Sequence, residues 1–117
     1  MIESPVDIPQ AVSYDPNMVR HNVYFWLNET VSDTERSAFE AGLKALFKID
    51  VVARGSFGEA ACTPERPVTQ NSFDYALVLE FDSVELHNAY QVHDEHTVFV
   101  ESFGSWFKEV RVFDTQF

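Results

Sequence analysis

Apolar and polar positions alternate from Met18 to Leu27, with Val19, His21, Val23, Phe25 and Leu27 on one face and Tyr24 and Trp26 on the other. A period of two is the mark of a strand, and large apolar side chains on both faces mark one covered from both sides. The period then changes. Ser32-Asp33-Thr34-Glu35 has the spacing of a capping box, in which the serine hydroxyl accepts a free backbone N–H and the glutamate reaches back to the cap. Ala38, Phe39, Gly42, Leu43, Leu46 and Phe47 recur at spacings of three and four, which predicts a helix with one buried stripe to about Lys48.

A second strand is expected from Val51 to about Ala60, where Gly55 and Gly58 point to a bulge or a close backbone approach. The stretch from Thr63 to Asn71, with Pro64 and Pro67, reads as a loop. Phe73, Tyr75, Leu77, Leu79 and Phe81 alternate on one face of a third strand, with Ala76 and Val78 on the other. Asp82-Ser83-Val84-Glu85 opens a short helix through Tyr90, and a further helix runs from about Asp94 to Phe103, ending near Gly104. Trp106 to Asp114 reads as the last strand, with Phe107 and Phe113 on one side and Val110 and Val112 on the other.

The order strand, helix, strand, strand, helix, strand is the α+β, ferredoxin-like arrangement, a four-stranded antiparallel sheet with the helices on one face. Helices on one side leave the apolar residues of the other side against water. A symmetric homodimer whose two sheets face each other, a dimeric α/β barrel, removes that exposure. Residues 1–17 hold Pro5, Pro9 and Pro16 with little periodic pattern, so they read as an N-terminal extended arm ahead of a domain over 18–117.

Charge narrows the partners. The chain has 117 residues and a formal charge of −11, which repels phosphate backbones and anionic lipid, so no nucleic-acid partner and no membrane partner is expected. No apolar run approaches the roughly 20 residues of a bilayer span, and the acidic opening lacks a signal-peptide pattern; the reading is a cytoplasmic protein. Hydrophobic residues at 45% and a density of aromatics exclude a disordered chain. Cys62 is the single cysteine, which excludes an intrachain disulfide.

His21, His93 and His96 lie where the first strand and the second helical region can converge, and imidazoles suit proton transfer near neutral pH. Tyr90, three residues before His93, offers a phenol to a substrate oxygen or enolate, which makes a Tyr/His acid–base couple. The plainer alternatives are a core His21 bonded to a backbone carbonyl, a helix start with Asp94 as cap and His93 making a local hydrogen bond, and tyrosines Tyr75 and Tyr90 that only pack. His87 reads as solvated. His93, Asp94 and His96 offer nitrogen and oxygen ligands within four residues, but not at a recognised metal spacing, so no metal site is expected. Arg54-Gly55-Ser56-Phe57-Gly58 has too few glycines for a dinucleotide fingerprint, and no cofactor is expected.

Val19-Arg20-His21-Asn22-Val23-Tyr24-Phe25, Tyr75-Ala76-Leu77-Val78-Leu79-Glu80-Phe81-Asp82-Ser83 and, above all, Tyr90-Gln91-Val92-His93-Asp94-Glu95-His96 resemble the stress-responsive alpha/beta-barrel domain (Dabb) family. The resemblance spans about Met18 to Asp114 and implies a ferredoxin-like homodimer. It is similar, within that family, to olivetolic acid cyclase, which runs an aldol condensation without a cofactor; the likeness implies His96 as general base, Tyr90 holding and orienting it, and His21 as the strand histidine. Tyr75 stands where the cyclase has a pocket histidine, Gly42 near a pocket tyrosine, and Asp94 at the family's usual proline. The functional expectation is a small apolar or aromatic molecule bound between sheet and helices, with His93, Tyr75, Phe25 and Phe99 lining the site. A cofactor-independent cyclase-like enzyme and a stress-protective dimer without catalysis remain the alternatives.

Overall fold

The computed structural model describes residues 15–117, so nearly all of the expected arm lies outside the described residues. Four strands, β1 (Val19–Leu27), β2 (Arg54–Gly58), β3 (Tyr75–Phe81) and β4 (Phe107–Gln116), form one antiparallel sheet in the order β2-β3-β1-β4. Three helices, α1 (Asp33–Leu46), α2 (Val84–Gln91) and α3 (Asp94–Phe103), make the fold α+β and ferredoxin-like.

The hydrophobic periods explain the layers. The odd positions of β1 and the odd residues Tyr75, Leu77, Leu79 and Phe81 of β3 are buried, and the α1 stripe of Phe39, Leu43 and Leu46 covers them. The Ser32 capping box is formed, with Glu35 N–H donating to the serine hydroxyl and Ser32 N–H donating to the Glu35 carboxylate. Ala38, expected in that stripe, faces solvent instead, because Phe39 already fills the position against the sheet.

Two further expectations are corrected, and that for the β2 glycines holds at Gly55 alone. β2 starts at Arg54 rather than Val51, since a turn after α1, closed by Val52 N–H to Ile49 O, uses Val51 and Val52 first. Gly55 is the close approach: a Cβ there would collide with the Phe47 ring and the Leu79 side chain, whereas Gly58 faces open space, and β2–β3 pairing carries no bulge. Phe73 precedes β3 and packs on the opposite face, its ring 5.0 Å from Tyr24 and 6.2 Å from Trp26. Asp74 sets that bend, accepting from Leu27 N–H and donating its own N–H to Phe25 O.

A register shift in β1–β4 between Trp26 and Leu27 separates Phe107 from Phe113. Phe107, opposite Leu27, points toward the helices and meets the rings of Phe25 and Phe39; Phe113, opposite Asn22, points the other way toward Tyr24. An extra residue in one strand inverts every side chain beyond it. The same shift puts Asp114 on the helix side, opposite His21.

Candidate functional site

His21 and Asp114 are cross-strand partners on β1 and β4, and His21 Nδ1 lies 2.5 Å from Asp114 Oδ1. An ionised carboxylate only accepts, so the histidine proton sits on Nδ1 and Nε2 keeps its lone pair. His21 is buried, and that burial holds its pKa below the usual histidine value; the Asp114 hydrogen bond and charge act the other way, and His87 adds to the lowering. The core-histidine alternative had a backbone carbonyl in this role; the partner is a carboxylate.

The helices close over this pair. Tyr90 of α2 has its ring 5.8 Å from His21 and 4.7 Å from His96 of α3. Burial also lowers the His96 pKa, with His21 and His87 pushing the same way and a hydrogen bond to the Gln91 backbone opposing them. Desolvation raises the Tyr90 pKa, so the phenol keeps its proton. Three of the sequence-predicted residues therefore meet at one seam between sheet and helices, a protonated phenol between two imidazoles that burial favours as neutral.

His87 joins them, against the expectation of a solvated side chain. Its ring lies 4.9 Å from His21 and 5.5 Å from Phe81, and its Nε2 is 3.8 Å from Asp114 Oδ2. Position 87 is three residues before Tyr90, which places both on one helix face, and that spacing is the signal by which the sequence could have revealed it. Asp114 left no such trace, because the strand register that aims it at His21 depends on the shift near Trp26.

The other expected residues lie elsewhere. Phe25 and Phe99 are core, in a ring cluster with Phe39 and Phe107, four strand positions or about 13 Å along β1 from His21. Tyr75 is buried beside them and donates its hydroxyl to Glu40 at 2.6 Å; burial first, then that bond, pushes its pKa up to about 12. It lines a polar hollow of about 390 Å3 with Arg36, Glu40 and Asp74. His93, rather than Asp94, caps α3 by accepting the Glu95 N–H on Nδ1, and its Nε2 faces Asp50 at 3.7 Å. The Phe103 ring occupies the space next to Gly42. On the opposite face of the sheet, Tyr24, Trp26, Phe73, Arg111 and Phe113 border a cavity of about 530 Å3.

The sequence pattern of the family described as Stress responsive A/B Barrel Domain, Dabb, matches residues 19–117. The chain belongs to the Dabb family. No curated protein sequence matches it. Among solved structures, this Dabb chain is similar to a dimeric ferredoxin-like protein of unknown function from Thermobifida fusca, at 19% identity and TM-score 0.72 over 92% of this chain and 97% of that one. A Dabb family protein from Mesorhizobium loti, also ferredoxin-like, aligns at 21% identity and TM-score 0.69 over 84% and 94%. Hydroxynitrile lyase from Passiflora edulis aligns at 17% identity and TM-score 0.76 over 88% and 95%. These likenesses confirm the fold, and among the described residues no helix is long and apolar enough to cross a membrane.

Proposed function

We propose that this Dabb chain works as a homodimer that holds a small organic molecule against the His21–Tyr90–His96 seam and moves a proton on it without a cofactor. The observation that carries this reading is the 4.7 Å approach of the Tyr90 and His96 rings. An acid held protonated beside a base held neutral is the pair that proton transfer needs. The Gln91 backbone acts on His96 as a hydrogen-bond acceptor, and in the neutral ring the second nitrogen carries the lone pair that takes a proton from an acidic C–H or O–H. The Tyr90 O–H then hydrogen-bonds to the oxygen on which negative charge develops. His21, fixed by Asp114, lies behind Tyr90 with a free Nε2 as a second acceptor.

Cyanohydrins are the first substrate class to try, since a hydroxynitrile lyase shares this fold; polyketide-like chains that close by aldol condensation are the second. Support for the dimer comes from Tyr24, Trp26, Val78 and Phe113, which have no helix above them, and from the dimeric state of the Thermobifida fusca protein. A stress-protective dimer without catalysis is favoured instead by the ring-filled core around Phe39.

Turnover and binding measurements with mandelonitrile and a library of aromatic and polyketide-like compounds test the reading. His96→Ala and Tyr90→Phe should each lower turnover of an accepted compound by about 100-fold or more. Loss of stability in these variants, with no compound bound or turned over by the wild type, would move the assignment to the stress-protective dimer.

A further inference from the structure

We infer that His21, His87 and Asp114 form a site for a divalent first-row transition metal ion, Zn2+ by ligand chemistry. One ligand atom from each of the three lies within 4.8 Å of the others, and among the described residues this is the one group so arranged. Two imidazole nitrogens with one carboxylate oxygen suit zinc and its neighbours rather than magnesium or calcium, which favour all-oxygen shells.

The hydrogen bonds around the cluster are those of a metal site. His87 Nδ1 pairs with Asn88 Oδ1 at 3.0 Å, and a carboxamide oxygen only accepts, so Nδ1 is the donor and Nε2 is the nitrogen that a neutral ring offers as a ligand. That Nε2 is buried and has no hydrogen-bond partner, yet it faces Asp114 Oδ2 across 3.8 Å. A ring nitrogen and a carboxylate oxygen at that separation can both turn toward one cation, which would give the buried nitrogen a partner. Ligating histidines characteristically donate their second N–H to an oxygen, and Asn88 supplies that support for His87. Asp114 is 44% exposed at its side chain, which leaves room on the solvent side for water or substrate in an open coordination position. The chain's charge of −11 raises the local concentration of cations.

The site shares His21 with the proton-transfer reading but needs neither Tyr90 nor His96, so metal binding can be tested without turnover. Its test uses the full chain stripped with EDTA and titrated with Zn2+ by calorimetry and histidine-resolved NMR near pH 7.5. One ion per chain should bind, the melting temperature should climb with Zn2+ concentration, and the ring signals of His21 and His87 should move while that of His93 stays. Asp114→Asn and His87→Gln should each weaken binding by at least about tenfold, with His93→Ala unchanged. No binding, a shift confined to His93, or equal affinity in folded Asp114→Asn and His87→Gln proteins would overturn the inference. Should a variant fail to fold, the wild-type ring shifts decide alone.

Discussion

His21 Nδ1 and Asp114 Oδ1, 93 positions apart in sequence, meet at 2.5 Å across the β1–β4 ladder and fix which nitrogen of the buried imidazole carries the proton. Asp114 raises the His21 pKa against the larger effect of burial. Asp114→Asn keeps an acceptor but removes the charge, so the His21 pKa should fall further below the ordinary histidine value. Titration of the His21 ring signals by NMR in EDTA checks this; an unchanged or raised pKa in the variant would contradict it.

Stability should decline on mild acidification. His21 and His96 both have folded-state pKa values below the unfolded value of 6.5, so the unfolded chain binds more protons between each folded value and 6.5. Their contribution is complete above that window and is lost as pH falls through it. Urea midpoints of the metal-free protein should therefore be lower at pH 5.5 than at 7.5. A second loss follows below about 4.5, where Glu80 protonates: burial raises its pKa, but hydrogen bonds from Arg20 and Arg54 outweigh that and hold it low. Equal midpoints at pH 5.5 and 7.5 would contradict the histidine part.

The two β2 glycines should behave differently. Gly55→Ala forces a methyl against Phe47 and Leu79 and should cost about 1–3 kcal/mol. Gly58→Ala meets nothing within 4 Å and should stay within about 0.5 kcal/mol of wild type. Thermal melts of the two variants side by side separate the outcomes.

Tyr75 and Tyr90 should separate in the same way. Tyr75→Phe deletes the hydrogen bond to Glu40 and should cost about 1 kcal/mol of stability while leaving small-molecule turnover intact. Tyr90→Phe should do the reverse. Loss of turnover in Tyr75→Phe would extend the working site to the far end of β1.

The sheet face opposite the helices should carry the dimer contact. Phe113 is 56% exposed in the single chain and lies beside Tyr24. Phe113→Glu should shift the chain toward monomer in light scattering after size exclusion, with the fold retained by circular dichroism. An unchanged dimer would place the contact elsewhere.

Much of this fold is legible in the sequence because periodicity reports burial. The alternations in β1 and β3, the α1 stripe at Phe39, Leu43 and Leu46, and the Ser32 and Ser83 caps are all local patterns, and they survive folding unchanged. What escaped depends on long-range pairing. A strict period of two cannot register the extra residue that puts Phe107 and Phe113 on opposite faces, and so it could not aim Asp114 at His21. Phe73 obeys the alternation of β3 in sequence, yet the bend at Asp74 takes it to the other face. The Tyr90 and His96 pairing was visible as a motif, whereas Phe25 and Tyr75 share a sheet face with His21 but sit too far along it to share its neighbours, and Phe99 packs on Phe25 from α3.

The most direct test of proton transfer at the seam is histidine-resolved NMR of the EDTA-treated protein with and without the aromatic and polyketide-like library. The account predicts that at least one compound shifts the His96 ring signals selectively, that the shift disappears in Tyr90→Phe, and that His93 is unaffected. Silence of both His96 and His21 toward every compound would contradict it.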